Sequence, residues 1–308
     1  MKSLRIGTRG SALALWQARS VGEALRRGGV ESELVIVKTS GDKSQHAGAG
    51  ELGGTGVFIK ELEDALLERT VDLAVHSMKD VPTEIPVGLV IAAMPKREDA
   101  RDALISAGGA SFSQLVPGAR VGTSSLRRQA QLLHARSDLR MLPIRGNVDT
   151  RLEKLGRGDY DAIVLAKAGL DRLGLAGRIT EVLATGICVP AAGQGAIGIE
   201  TRADDRQTVS AVSGLNHAET ATAVRAERAA LGQLQGGCQA SIGAWARVVE
   251  GKLLLDVAVL SPDGAERLSE TVSGAADDPV ALGREAAGRL LARGAQALLA
   301  RQGREKSA

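Results

Sequence analysis

The chain has 308 residues, two Cys, two Trp, one Tyr, two Phe, 38 Gly and a formal net charge of +3. Its length suggests about two domains, its 44% hydrophobic fraction supports a packed core, and two thiols exclude a disulfide framework or a paired-Cys metal site. So few aromatics leave little surface for stacking bases, and no apolar run reaches the ~18 residues of a membrane span, so neither nucleic acid nor membrane is an expected partner.

The predicted elements begin with a strand over residues 4–7, a polar turn Thr8-Arg9-Gly10-Ser11, and a helix carrying Leu13, Trp16, Val21 and Leu25. Lys2, Arg5 and Arg9 interrupt the region where an apolar export signal would lie, so a cytoplasmic location is expected. A helical stretch over residues 58–68 leads to a strand at 72–75, and residues 95–99 form a polar crossing. Residues 119–122 then repeat the strand, Thr123-Ser124-Ser125 repeats the turn, and Leu132 and Leu133 mark a second helix. A helical stretch at 151–155 and a strand at 161–164 repeat the next pair, with Lys79 and Lys167 following the matching strands, so the two halves read as related. Residues 186–200, with Pro190 and four Gly, carry the chain back.

After Asn216 the pattern changes to a helix over 218–234, strands at 245–249 and 253–260, a third strand ending near Val272, and a final amphipathic helix over 279–300. The expected fold is α/β: two doubly wound mixed-sheet domains resembling two-lobed periplasmic binding proteins, plus a small C-terminal α+β domain. The expected boundaries are 1–95 with 196–216, then 100–190, then 217–308. Ligands of such sheets lie beyond strand C-terminal ends.

Two stretches, Gly48-Ala49-Gly50-Glu51-Leu52-Gly53 and Gly193-Gln194-Gly195-Ala196-Ile197-Gly198, satisfy G-x-G-x-x-G. Neither runs from a strand into a helix, so they read as a loop and a hinge rather than a dinucleotide site. The His at 46, 76, 134 and 217 lack ligand spacing and read as structural or surface residues, and no metal site is expected. Arginine, by contrast, is concentrated in Arg127, Arg128, Arg136, Arg140, Arg145, Arg151, Arg157 and Arg172. Its planar fork matches carboxylate or phosphate, and Arg127-Arg128 open a helix, so this region reads as an anion site or a solvated basic face. Arg9, Ser11 and Gln17 occupy the matching helix start of the first half, which suits a ligand with several carboxylates. Lys79-Asp80 follow a strand end, where the acid either stabilises a cation or transfers a proton, or pairs with a neighbouring Arg. Cys188, in an apolar run, reads as a buried inert thiol, whereas Cys238 in Gly236-Gly237-Cys238-Gln239 reads as an accessible, reactive or modified one.

Six stretches carry a resemblance: Arg5-Ile-Gly-Thr-Arg-Gly-Ser-Ala-Leu-Ala-Leu-Trp-Gln17, Ala74-Val-His-Ser-Met-Lys-Asp-Val-Pro82, Gly122-Thr-Ser-Ser-Leu-Arg-Arg-Gln129, Arg145-Gly-Asn-Val-Asp-Thr-Arg-Leu152, Gly193-Gln-Gly195 and Gly236-Gly-Cys-Gln239. Together they resemble the porphobilinogen deaminase (hydroxymethylbilane synthase) family. The resemblance implies a cytoplasmic, monomeric transferase of tetrapyrrole biosynthesis. It joins four porphobilinogen molecules head to tail with release of ammonia, then frees linear hydroxymethylbilane by hydrolysis. It also implies a dipyrromethane cofactor on a thioether to Cys238, with Lys79, Ser125, Arg127, Arg128 and Arg151 holding its side chains. Arg9, Ser11, Gln17, Arg145 and Arg172 would bind substrate or the growing chain. Asp80 would be the catalytic carboxylate, stabilising the azafulvene cation formed as ammonia leaves.

The loop before Phe58 departs from the family pattern, with Thr55 where many members have Lys and Glu51 where some do, leaving Phe58 and Lys60 as candidates for closing over an anionic substrate. The alternative reading is a non-catalytic two-lobed polycarboxylate-binding protein, which predicts an unmodified Cys238.

Overall fold

A computed structural model of the chain describes residues 3–38, 59–235 and 240–304. Cys238 with its flanking glycines, and the stretch holding His46, Glu51, Thr55 and Phe58, lie outside the described residues.

The chain runs β1 (Leu4–Thr8), α1 (Ala12–Arg27), β2 (Ser32–Ile36), α2 (Lys60–Leu67), β3 (Leu73–Ser77), β4 (Leu89–Ala93), β5 (Asp102–Ser106), β6 (Arg120–Gly122), α3 (Leu126–Ala135), β7 (Arg140–Leu142), α4 (Val148–Gly156), β8 (Ala162–Ala166), α5 (Lys167–Arg172), β9 (Glu181–Val182) and β10 (Ile197–Arg202). It continues through α6 (Arg206–Ser213), α7 (Ala218–Gln233), β11 (Ile242–Val249), β12 (Lys252–Leu260), β13 (Arg267–Ala275), α8 (Pro279–Ala292) and α9 (Ala295–Arg304). Two compact units result, Met1–Glu98 with Ala196–Ala221, and Asp99–Gly195 with Thr222–Ala308.

The first unit is built on a five-stranded sheet ordered β2-β1-β3-β10-β4. Its first three strands are parallel, and β10 runs antiparallel between β3 and β4. Strand β10 is the returning segment, and all six of its residues are buried, as befits an inner strand covered on both faces. Helix α1 starts at Ser11, whose Oγ accepts the Ala14 N–H, and buries Gln17, Ala18, Val21 and Leu25 at helical spacing. Ala18, Val21 and Leu25 pack with Leu4, Ile6, Leu73 and Ile199 in one apolar cluster.

The second unit repeats the plan as β7-β6-β8-β5-β9, with β7, β6 and β8 parallel and β5 antiparallel between β8 and β9. To it is added the antiparallel sheet β11-β12-β13, backed by α7, α8 and α9 through an apolar cluster that includes Ala226, Leu255 and Leu290. Ala258 and Leu260 of β12 pack on Ala130 of α3 and on Val189. The final helix expected over 279–300 is two helices, because the chain breaks at Arg293-Gly294, where Gly294 takes φ +93°. The amphipathic pattern continues across the break and hides it.

Candidate functional site

In the first unit, β3 ends in the single turn Met78–Asp80, pinned where Met78 N–H donates to the Ala196 carbonyl. Arg9, Ser11, Gln17, His76, Ser77 and Asp80 line one hollow at this strand end. Gln17, though buried, donates from Nε2 to Ser77 Oγ at 2.8 Å, which ties α1 to β3. Asp80 is exposed and makes no ion pair or hydrogen bond among the described residues, so the pairing with a nearby Arg considered from sequence is absent there. Lys79 is half-buried, and Lys60 lies exposed at the start of α2.

His76, read from sequence as structural or surface, lines the hollow, and its Nε2 lies 3.0 Å from Glu200 Oε2. Its position four residues before Asp80, at the end of an otherwise apolar strand, was the available signal. Glu200, 124 residues away in sequence, gave none.

In the second unit the arginines meet a partner that sequence reasoning missed. Asp102 opens β5 and is completely buried. Its Oδ2 accepts from Arg127 Nη1 at 2.8 Å, and its Oδ1 accepts from Arg128 Nη2 and Nε at 2.7 and 3.0 Å. Burial would raise the Asp102 carboxyl, but the charges and hydrogen bonds of the two guanidiniums outweigh it and hold the group far below the ordinary carboxylate range. Arg127 Nη1 also donates to the Val189 carbonyl, and Arg128 Nη1 to the Val164 carbonyl. Gln194, from the hinge-like G-x-G, donates to Asp102 and to the Ala100 carbonyl. The first turn of α3 is closed by Ser125, which accepts the Arg128 N–H.

Cys188 belongs to this network rather than to a purely apolar run. Its Sγ donates to Asp102 at 3.2 Å, and burial, then the Asp102 charge, push its thiol up to about 12. The remaining arginines differ in setting. Arg151 on α4 donates from Nε to the Gly146 carbonyl and has no carboxylate partner among the described residues. Its guanidinium is pushed down to about 10 by burial and by the like charge of Arg128. Arg172 is buried and donates to the Gly195 carbonyl at 2.6 Å, whereas Arg145 is exposed. The structure therefore brings Ser125, Arg127, Arg128 and Arg151 into one region and leaves Arg145 on the surface of its unit.

Charge counting indicates what this region takes. Two buried guanidiniums share one carboxylate, and a third, Arg151, sits beside them without a carboxylate partner among the described residues. Buried charge of one sign is costly unless a partner neutralises it. An organic polyanion supplies that partner, and carboxylates match the guanidinium fork. A dipyrromethane with its acidic side chains fits this donor set. Among the described residues no cluster of His, Cys, Asp and Glu could hold a metal, and no helix is long and apolar enough to cross a membrane.

Comparison with known proteins agrees with this chemistry. The family model described as "Porphobilinogen deaminase, dipyromethane cofactor binding domain" matches residues 4–210, and that for "Porphobilinogen deaminase, C-terminal domain" matches residues 221–292. The chain is 52% identical over 300 residues to a porphobilinogen deaminase of Trichlorobacter lovleyi, covering 97% of this chain and 96% of that protein. It is 51% identical over 301 residues to that of Moorella thermoacetica, covering 97% and 96%. Among solved structures it is similar to an ABC transporter periplasmic substrate-binding protein from Coxiella burnetii, with TM-score 0.42 and 14% identity over 69% of this chain and 91% of that one. A putative sulfonate-binding protein from Methylobacillus flagellatus gives TM-score 0.40 and 14% identity over 74% and 67%. At this level those likenesses speak to neither ligand nor reaction. The sequence relatives and both family models do: the chain belongs to the porphobilinogen deaminase family.

Proposed function

We propose that this chain, a transferase of tetrapyrrole biosynthesis, condenses four porphobilinogen molecules head to tail with release of ammonia and then frees hydroxymethylbilane by hydrolysis. The observation that carries the reading is the buried pair Arg127 and Arg128 sharing the single carboxylate of Asp102 beside Arg151, within the residues matched by the cofactor-binding family model. Such an excess of fixed positive charge suits a ligand that gains carboxylates as it lengthens.

Dipyrromethane, when bound, supplies the pyrrole end from which the chain grows, and Cys238 anchors it through a thioether. Ser125, Arg127, Arg128, Arg151 and Lys79 bind its carboxylates, while Arg9, Ser11, Gln17, Arg145 and Arg172 bind porphobilinogen or the growing chain. Asp80 places a negative charge where positive charge develops on porphobilinogen as ammonia leaves, the electrostatic help a carboxylate gives best. Residues 1–95 with 196–216 carry Asp80, residues 100–190 the arginines, and residues 217–308 the anchoring thiol. We place the enzyme in the cytoplasm as a monomer, without a nucleic-acid or membrane partner.

Intact-protein mass spectrometry tests this reading. The purified protein should exceed its sequence mass by two linked pyrrole units, localised by peptide mapping to Cys238, and should convert porphobilinogen to hydroxymethylbilane. Unmodified protein without turnover would sink the enzyme reading in favour of a polycarboxylate-binding protein.

A further inference from the structure

The hollow that holds Asp80 contains one acid–base side chain to which the proposed reaction gives no role. His76 stands on β3 and lines this hollow, yet it is only 5% exposed. Its Nε2 is engaged by Glu200 Oε2 at 3.0 Å, and Glu200, on β10, is fully buried. The other ring nitrogen, Nδ1, makes no hydrogen bond among the described residues. Behind the pair, Glu200 Oε1 and Glu63 Oε1 are buried without hydrogen-bond partners among the described residues. Burial, then the charge of Glu200, raise the Glu63 carboxyl, while His76 opposes that rise and Asp64 adds to it. The charged and titratable groups around the imidazole are therefore Glu200 on β10, Glu63 and Asp64 on α2, and Arg9 and Asp80 in the hollow.

In a residue that lines the hollow, a ring with one nitrogen held by a buried carboxylate and the other without a hydrogen bond among the described residues is arranged as a base. Building on the proposed function, we propose that His76 accepts the proton released at each ring addition after the first, with Glu200 as the positioning residue that keeps the proton of the neutral ring on Nε2. The reaction needs such an acceptor. A carbon–carbon bond forms between the aminomethyl carbon of the incoming porphobilinogen and the free α-carbon of the porphobilinogen unit already added. The aminomethyl nitrogen departs from its protonated form: the carbon–nitrogen bond breaks, and its electron pair leaves with the nitrogen as ammonia. The hydrogen on the attacked α-carbon departs as a proton to Nδ1, and its bonding electrons return to the ring. The proton then passes from Nδ1 to ammonia, giving ammonium and restoring the neutral imidazole.

Two measurements on the cofactor-loaded enzyme test this. Nitrogen NMR of protein labelled at its four His should show His76 neutral near pH 7.5, with the proton on Nε2. A proton on Nδ1, or on both nitrogens, overturns the proposal. The second uses porphobilinogen deuterated at its free α-carbon. His76→Gln should slow the second and later additions about 100-fold and raise their isotope effect above that of the wild type. A role in folding alone would lower the rate without that isotope signature, and unchanged rates and isotope effects overturn the proposal. If His76→Gln yields no loaded enzyme, Glu200→Gln carries the test, with a smaller slowing and the same signature expected. Wild-type protein that makes no hydroxymethylbilane sinks the underlying function, whereas wild-type turnover with unaffected variants sinks only the role of His76.

Discussion

Arg120 grips Asp161 with its backbone N–H at 2.7 Å, Nε at 3.2 Å and Nη2 at 2.8 Å. Arg5 grips Asp72 with the same three donors at 2.9, 3.0 and 2.8 Å. Each Arg lies two residues before a strand glycine, Gly122 or Gly7, and each Asp immediately precedes the next parallel strand of its sheet. The same clamp therefore closes the same corner in both five-stranded sheets.

The two clamps differ in surroundings, and their variants should differ accordingly. Asp161 is 41% exposed on its side chain, whereas Asp72 is 15% exposed and also lies 3.6 Å from Arg202. Asp72→Asn should lower the urea midpoint more than Asp161→Asn, since exposed pairs contribute little. Both carboxyls are lowered in the folded protein, Asp72 against the pull of its own burial and Asp161 chiefly by its hydrogen bond from Arg120. Their stabilisation is thus present above the unfolded value of about 3.9 and lost as pH falls through the lower folded values. Equal midpoints for the two variants would contradict this ranking.

Asp102 presents the stronger case. Replacing it by Asn keeps the shape but leaves Arg127 and Arg128 buried without the one carboxylate that pairs with them among the described residues, and breaking such an arrangement costs about 3–5 kcal/mol. Denaturant unfolding at pH 7 should show that loss. It should shrink in acid, because the wild-type carboxyl, held far below its unfolded value, loses its contribution only as pH falls below about 4.

Asp102 also marks where the sequence stops being informative. The strands around Ile6, Leu73, Val121 and Val164 and the Arg127-Arg128 pair stand out because apolar runs and helix starts are local patterns. An Asp opening an apolar strand looks like a turn residue, and its partners lie 25 and 26 positions onward, so nothing nearby reveals a buried ion cluster. Cys188 reads from sequence as inert, which its raised thiol supports, but its contact with Asp102 depends on a pairing 86 residues long. His76 shows no ligand spacing in the sequence, and a lone imidazole becomes informative only when the fold brings Glu200 to it.

Gly264 tests how the C-terminal sheet is held. It takes φ +73° in the turn between β12 and β13, and its carbonyl accepts from His134 Nδ1 at 2.8 Å if that nitrogen carries the proton. A Cβ there would lie 2.5 Å from the Ala130 carbonyl oxygen and 2.6 Å from His134 N, both backbone atoms of α3. Gly264→Ala should therefore cost about 1–3 kcal/mol from the clash, beyond the backbone strain. Gly158→Ala is the control, since Gly158 takes φ +80° with open space around it. Thermal unfolding should rank Gly264→Ala as clearly the less stable.

The two thiols should separate chemically. Cys188 is fully buried and its thiol is pushed up to about 12, so almost no thiolate is present at pH 8. Iodoacetamide applied to the native protein should leave Cys188 unlabelled, while the same reagent in denaturant should label it fully. Native labelling of Cys188 within minutes would contradict the buried network around Asp102.

Asp80 offers the sharpest separation of chemistry from folding. Its carboxylate is exposed, stands in the turn after β3 and has no partner among the described residues, so Asp80→Asn removes no interaction with them. Stability should change by no more than about 0.5 kcal/mol, as for ordinary surface substitutions. Turnover should nevertheless fall by about 100-fold or more, because an amide cannot supply the negative charge opposite a developing cation. Unfolding curves, the mass of the bound cofactor and the rate of hydroxymethylbilane formation, measured on one preparation, check all three points. A loaded, stable variant with near-wild-type turnover would remove Asp80 from the chemistry and leave the hollow at β3 as a binding site alone.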